Sequence, residues 1–149
     1  MYEEGLRTPI IFNWPGHVKP GVVNDSLVST VDLFPTLLQL GGKATPPDRA
    51  GLNLLPILFG GEQSVRNAVV VHMTEVKSQP EQDGAQRGSW MGRGGFAVRS
   101  ADWYYINNDS RPNELYEMRH DPWQRTNVID RYPEVAMNSR KKLANGRSA

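Results

Sequence analysis

Apolar positions fall into two regimes along the chain. Ahead of residue 62 they come as near-continuous runs, and later they come as short β-type runs separated by turns. Pro9–Trp14 (Pro-Ile-Ile-Phe-Asn-Trp) reads as a short strand of the kind buried on both faces, closed by Pro15-Gly16, with a second turn at Lys19-Pro20-Gly21. Thr30–Leu40 has helical spacing. Val31, Phe34 and Leu38 share a face that Leu33, Leu37 and Leu40 widen, so the pattern predicts a mostly buried helix. Thr30 or Asp32 would cap it, Pro35 fits its first turn, and Gly41-Gly42 stops it. Asn53–Phe59 reads as one more short helix, closed by Gly60-Gly61.

Asn67–Met73, centred on Val69, Val70 and Val71, is the clearest strand. Residues 74–95 follow, rich in Gln, Gly and Ser, and read as a long mobile surface loop. Phe96–Arg99 and Trp103–Ile106 around Ser100-Ala101-Asp102 give a hairpin signal, and Glu114–Tyr116 adds a fourth strand. A final helix is predicted from Pro133 toward Asn145-Gly146, with a weak apolar face of Ala136, Leu143 and Ala144. The expected class is α+β in two unequal pieces. Residues 63–149 make a small antiparallel four-stranded sheet with a packed C-terminal helix. Residues 1–62 have one strand and no sheet around it, which suggests a chain cut from something larger.

Composition narrows the function classes. Seventeen Lys and Arg face sixteen Asp and Glu over 149 residues, and a formal charge of +1 argues against a nucleic-acid or membrane-surface binder. Cysteine is absent, which excludes disulfides, thiolate metal sites and a cysteine nucleophile. No apolar run approaches the roughly 20 residues of a membrane span, and the first residues carry no signal peptide. The compartment stays open.

Candidate chemistry is sparse. Gly92-x-Gly94-x-x-Ala97 echoes a dinucleotide fingerprint but precedes a strand instead of following one. Asn24-Asp25 and Asn108-Asp109 offer oxygen ligands to a hard cation, and both pairs fit turns equally well. His17 and His120 sit in turn-rich text. His72 closes an apolar strand beside the long loop, where site residues gather, although a hydrogen-bonded histidine at a sheet rim explains it too. Trp90, with Arg87 and Arg93 nearby, is a candidate for stacking on a ligand. The Arg140-Lys141-Lys142 run fits a solvated face near a helix C-terminus.

The order of motifs adds a resemblance. Tyr2-Glu3-Glu4-Gly5-Leu6-Arg7-Thr8-Pro9, then Trp14-Pro15-Gly16 and Pro20-Gly21, then Asp32-Leu33-Phe34-Pro35-Thr36-Leu37-Leu38 resemble the C-terminal half of the sulfatases, in the alkaline-phosphatase-like superfamily. Phe96-Ala97-Val98-Arg99 with Asp102-Trp103, then Glu114-Leu115-Tyr116 and Asp121-Pro122 followed by Asn127, resemble that family's closing hairpin and tail. The resemblance implies that residues 1–62 end a large mixed-sheet α/β domain and residues 63–149 form the small domain. It implies a sulfuric ester hydrolase whose calcium ion and formylglycine nucleophile belong to the full-length family, with a sulfate ester as substrate.

The nucleophile motif, the metal aspartates and the active-site Lys and His residues of that family would all precede Tyr2. Ser78-Gln79-Pro80-Glu81-Gln82 imitates the nucleophile motif but has Gln82 where Arg is required. No catalytic or metal-binding residue is therefore transferred to this chain. Glu3 and Arg7 would brace the strand beneath the active site. His72 and Trp90 would lie near the substrate, and residues 74–95 would shape its pocket. The missing N-terminal catalytic portion is the expected partner, and family members are often exported or lysosomal. Two alternatives stand beside this reading: a stand-alone binding or assembly module, and a fragment of a related phosphonate or phosphodiester hydrolase.

Overall fold

Leu33–Leu40 forms the first helix, α1, entered through a single 3-10 turn at Thr30–Asp32. Asp32 is its N-cap, and its carboxylate accepts the Ser29 N–H at 2.8 Å. At the other end Gly42 adopts φ 68°, and Lys43 N–H reaches Leu38 O while Gly42 N–H reaches Gln39 O. This pair of bonds is a Schellman stop, so the glycines end the helix as the sequence predicts. The computed structural model describes residues 2–61, 64–73, 95–108 and 111–146. It divides into two compact units. One runs Thr8–Val69, and the other joins the residues before Thr8 to those from Val70 onward.

In the Thr8–Val69 unit the sequence misleads twice. Pro9–Trp14 is no strand, and Ile11 is 85% exposed. A strand exists only through a partner, and among the described residues of this unit none runs beside it. α1 also departs in part from the expected facing. Asp32 ahead of it and Pro35 and Thr36 within it are buried and Leu33, Leu38 and Leu40 are half-buried, while Val31, Phe34 and Leu37 remain 48%, 49% and 60% exposed.

The cause is a polar network that outcompetes the apolar stripe for the interior. Asp32 accepts from Leu52 N–H at 2.7 Å and from the Arg66 guanidinium. Thr36 donates its hydroxyl to Asp32 O at 2.6 Å and accepts Leu54 N–H at 2.9 Å. Buried polar groups are tolerated only when bonded, and this set draws the 51–55 segment against α1. Gly51 makes that approach possible: at φ +110° a Cβ there would lie 2.3 Å from Val31 O. The short helix α2, Leu55–Leu58, follows directly and is closed by Gly60 at φ 76°.

The other unit is built on a four-stranded antiparallel sheet in the order β1 (Ala68–Met73), β2 (Gly95–Ser100), β3 (Trp103–Asn108), β4 (Glu114–Glu117). β1 crosses the division between the two units, since Val70 begins the second. Arg99 pairs with Tyr104 and Ala97 with Ile106, so β2 and β3 form the predicted hairpin. Tyr104 pairs in turn with Tyr116, and Tyr105 with Leu115.

Side chains alternate along each strand. One face therefore carries Ala97, Arg99, Tyr104, Ile106 and Tyr116, and the other carries Val98, Tyr105 and Leu115. The helix α3, Pro133–Gly146, packs on β2 and β3 with Leu143 buried. Ala144, expected on its apolar face, is exposed, and Ser139 is buried in its stead. The free edge of β4 is covered by its own chain: Leu115 N–H donates to Asn127 Oδ1, and Val128 N–H donates to Leu115 O, both at 2.9 Å.

Candidate functional site

The face of the sheet bearing Tyr104 and Tyr116 is closed by the first residues of the chain. Glu3–Gly5 makes a single 3-10 turn, and Leu6 packs against the cluster of Ala97, Tyr104, Ile106, Tyr116 and Met118. The Tyr2 ring meets that of Tyr116 edge-on at 6.2 Å, and its hydroxyl donates to Glu114 at 3.3 Å. Glu3 carries the strongest attachments. Its carboxylate accepts from Arg99 Nε at 3.2 Å with both side chains about four-fifths buried, and its N–H donates to Gln124 Oε1 at 2.7 Å. Residues 2–7 are thus a strap fastened to β2 by a largely desolvated ion pair.

Gln124 is held in an unusual way to receive it. Among the described residues it is the only non-glycine with positive φ, 53°. That conformation costs a non-glycine residue about 1 kcal/mol or more and persists only where its surroundings fix it. Asp121 does the fixing, accepting the Arg125 and Thr126 N–H groups at 2.9 and 2.8 Å. The phenols under the strap feel their burial. Tyr104 and Tyr116 are pushed well above the usual phenol range, first by desolvation; Glu3 adds to the shift at Tyr104, and the hydrogen bond to Glu114 at Tyr116. Tyr105, on the opposite face, is raised by burial and partly offset by Arg140 on α3.

Of the sequence-predicted site residues, Glu3 is the one with a built environment. Arg7 is exposed and lines, with Glu3, Glu4, Arg99, Met118, Pro122 and Trp123, a shallow cleft of about 230 Å³. His72 is exposed near the end of β1, its ring stacked on Phe96 at 4.3 Å. Phe96 and Arg99 lie three positions apart on β2 and project to opposite faces, so the partners of His72 and Glu3 do not share a face. Trp90 and residues 74–94 lie outside the described residues, as do Ser78–Gln82 and Asp109. Arg99 and Gln124 were given no role by the sequence. Only its place in the Phe96-Ala97-Val98-Arg99 motif marked Arg99.

The remaining candidates are structural. Asn24 Oδ1 accepts Ser26 N–H at 2.8 Å in an Asx turn, and Asn108 Nδ2 donates to Pro112 O and to Glu114. His17 stacks on Trp14 at 4.0 Å, and His120 Nδ1 lies 2.9 Å from Glu117. Among the described residues no group of three or more His, Asp or Glu stands close enough to hold a metal ion, and the chain has no cysteine to supply a thiolate. No chemical step through a metal is assigned to these residues. No helix among them is long and apolar enough to cross a membrane.

A strapped antiparallel sheet with one helix across its other face makes this an α+β domain, with the fold of the C-terminal domains of sulfatase structures. The chain belongs to the family described as N-sulphoglucosamine sulphohydrolase, C-terminal, which matches residues 1–149. It is 29% identical over 149 residues to Arylsulfatase K from Homo sapiens, covering 96% of this chain and 26% of that protein. Over 62 residues it is 52% identical to N-acetylgalactosamine-6-sulfatase from Homo sapiens, covering 40% of this chain and 12% of that one.

Among solved structures it resembles BT4656 in complex with its substrate D-glucosamine-2-N,6-O-disulfate. The TM-score is 0.72 at 22% identity, over 91% of this chain and 27% of the other. It also resembles the phosphonate monoester hydrolase SpPMH from Silicibacter pomeroyi, with a TM-score of 0.69 at 20% identity over 91% and 28%. The chain spans about a quarter of the length of Arylsulfatase K and of both structures.

Proposed function

We propose that this chain is the C-terminal portion of a sulfuric ester hydrolase, that it completes the fold and walls the substrate pocket, and that it is inactive alone. The observation that carries the reading is the strap. Residues 2–7 lie at the start of the family match, and Glu3 anchors them to Arg99 and Gln124. Polypeptide entering ahead of Tyr2 is thereby delivered onto the sheet at a fixed place, which is what a supporting domain must do for residues positioned upstream. Glu3 and Arg7 act by holding that entry.

His72 and Trp90, with residues 74–95, face the substrate in this reading and set which ester fits. Calcium and formylglycine would reside in the preceding catalytic portion, where charge developing on the sulfate is met by fixed positive groups. The test is an assay of the isolated chain with an aryl sulfate and calcium. No turnover above a heat-killed control is expected, and measurable turnover would defeat the proposal.

A second reading within the enzyme class is favoured by one finding. Phosphonate Monoester Hydrolase of Agrobacterium radiobacter shares this fold with a TM-score of 0.58 and 27% identity. Parallel assays of the intact enzyme on sulfate and phosphonate monoesters decide between the two.

A further inference from the structure

We propose that the cleft between the strap and the 121–126 turn is a saccharide subsite, taking one uncharged pyranose unit of a sugar chain. The inference draws on the sheet unit alone and goes beyond the proposed function, since it needs no ester chemistry. Trp123 supplies the plate. Its indole is 64% exposed and has no ring partner among the described residues, whereas Trp14 stacks on His17 and Trp103 leans on Tyr132. So large an apolar ring is left in water at a cost, and its negative π face suits the slightly positive C–H face of a pyranose ring.

The rest of the lining offers what hydroxyl groups need. Glu3 and Arg99 neutralise each other at 3.2 Å. Glu4 and Arg7 remain, both exposed and without a side-chain partner among the described residues. The carboxylate accepts hydroxyl protons, and the guanidinium donates to hydroxyl or ring oxygens. Their charges cancel, so the cleft has no net charge to select an ion, and an anionic ligand would meet Glu4. At about 230 Å³ it is smaller than the pocket of a drug-sized ligand and suits a single ring, with the rest of the sugar chain in solvent.

The two walls are tied to each other before any ligand arrives. Gln124, next to Trp123, accepts Glu3 N–H through Oε1 at 2.7 Å and takes φ 53°. Asp121 N–H donates to Glu117 O at 2.8 Å, so the turn carrying Pro122 and Trp123 is also bonded back to β4. Left-handed backbone at a non-glycine residue gathers at ligand clamps, and walls set in advance lower the entropy lost on binding.

The test is a titration of the polypeptide translated from the whole reading frame that contains this chain, with cellobiose and with lactose. Binding is read by saturation-transfer NMR and by the Trp123 indole N–H resonance. Weak, millimolar binding is expected, with transfer strongest at protons on one face of a ring. Trp123→Ala should abolish it, and Trp123→Phe should restore most of it. Arg7→Gln and Glu4→Gln should each weaken it roughly tenfold, the loss of one hydrogen bond. Because Trp123 is exposed, its Ala variant should keep the wild-type melting temperature, which separates a lost site from a lost fold.

No transfer to either disaccharide overturns the proposal, as does transfer that survives Trp123→Ala. Equal binding of sorbitol, which has the hydroxyls without the ring, overturns it as well. So does a Trp123 indole shielded from N-bromosuccinimide in the whole polypeptide, because protein then fills the cleft. Binding of glucuronate in preference to both disaccharides makes this an anion site and defeats the proposal too. None of these readouts involves aryl sulfate turnover, so failure of the subsite and failure of the sulfatase reading stay separable.

Discussion

Replacing Asp32 with Ala should unfold the Thr8–Val69 unit or leave it marginal. The carboxylate is fully buried and accepts from Ser29 N–H at 2.8 Å, Leu52 N–H at 2.7 Å and the Arg66 guanidinium, whose side chain is 17% exposed. Removing one partner of a buried ion pair costs about 3–5 kcal/mol, chiefly because the other charge stays desolvated. The two orphaned backbone donors add to this, at about 1–3 kcal/mol each if water does not reach them. Against a total stability of about 5–15 kcal/mol for a typical domain, the loss is most of what the unit has.

Native-state hydrogen exchange at the Leu52 and Leu54 amides reads it locally, without interference from the sheet unit. Asp32→Asn should cost less, since one acceptor oxygen remains. In a double-mutant cycle with Arg66→Met the coupling should exceed about 1 kcal/mol, because the second substitution removes the stranded charge. A shift below about 1 kcal/mol for Asp32→Ala would refute the argument that this network, and not the apolar stripe, sets the orientation of α1.

Gly51→Ala should destabilise the same unit by about 1–3 kcal/mol, since the new methyl group would meet Val31 O at a φ that L residues avoid; a melting temperature equal to wild type would contradict this. Arg99→Met should loosen the strap by about 2 kcal/mol, read as faster exchange at the Leu6 and Arg7 amides, and unchanged exchange would show that Glu3 is not the anchor. The sheet unit should lose stability as pH rises above about 10, where unfolded phenols ionise while Tyr104, Tyr105 and Tyr116 in the fold keep their protons. The sign follows from proton binding: the folded state holds more protons there, so its advantage shrinks with each unit of pH. Absorbance at 295 nm should therefore rise together with loss of the sheet signal in circular dichroism, and a flat stability between pH 9 and 11 would refute it.

The sheet unit was largely legible because its signals are local. Ala101-Asp102 turns a hairpin between two β-rich runs, and Pro133 and Gly146 bracket α3. The Thr8–Val69 unit was legible in where elements lie but not in how they face. Periodicity assigned Val31, Phe34 and Leu37 to the interior, and what reversed it is a set of bonds from Asp32 and Thr36 to residues 18 to 34 positions away. Pro9–Trp14 has strand composition, yet composition cannot supply a neighbouring strand. At the candidate site the text pointed to Glu3 but not to its partners. Arg99 is 96 positions away, and no residue type announces that Gln124 will take a left-handed backbone.

Aryl sulfate turnover should be compared for three polypeptides: this chain, any residues encoded ahead of it, and the two joined as translated. Turnover is expected from the joined polypeptide alone. Turnover by either part on its own would contradict the claim that this domain completes an active site without housing it.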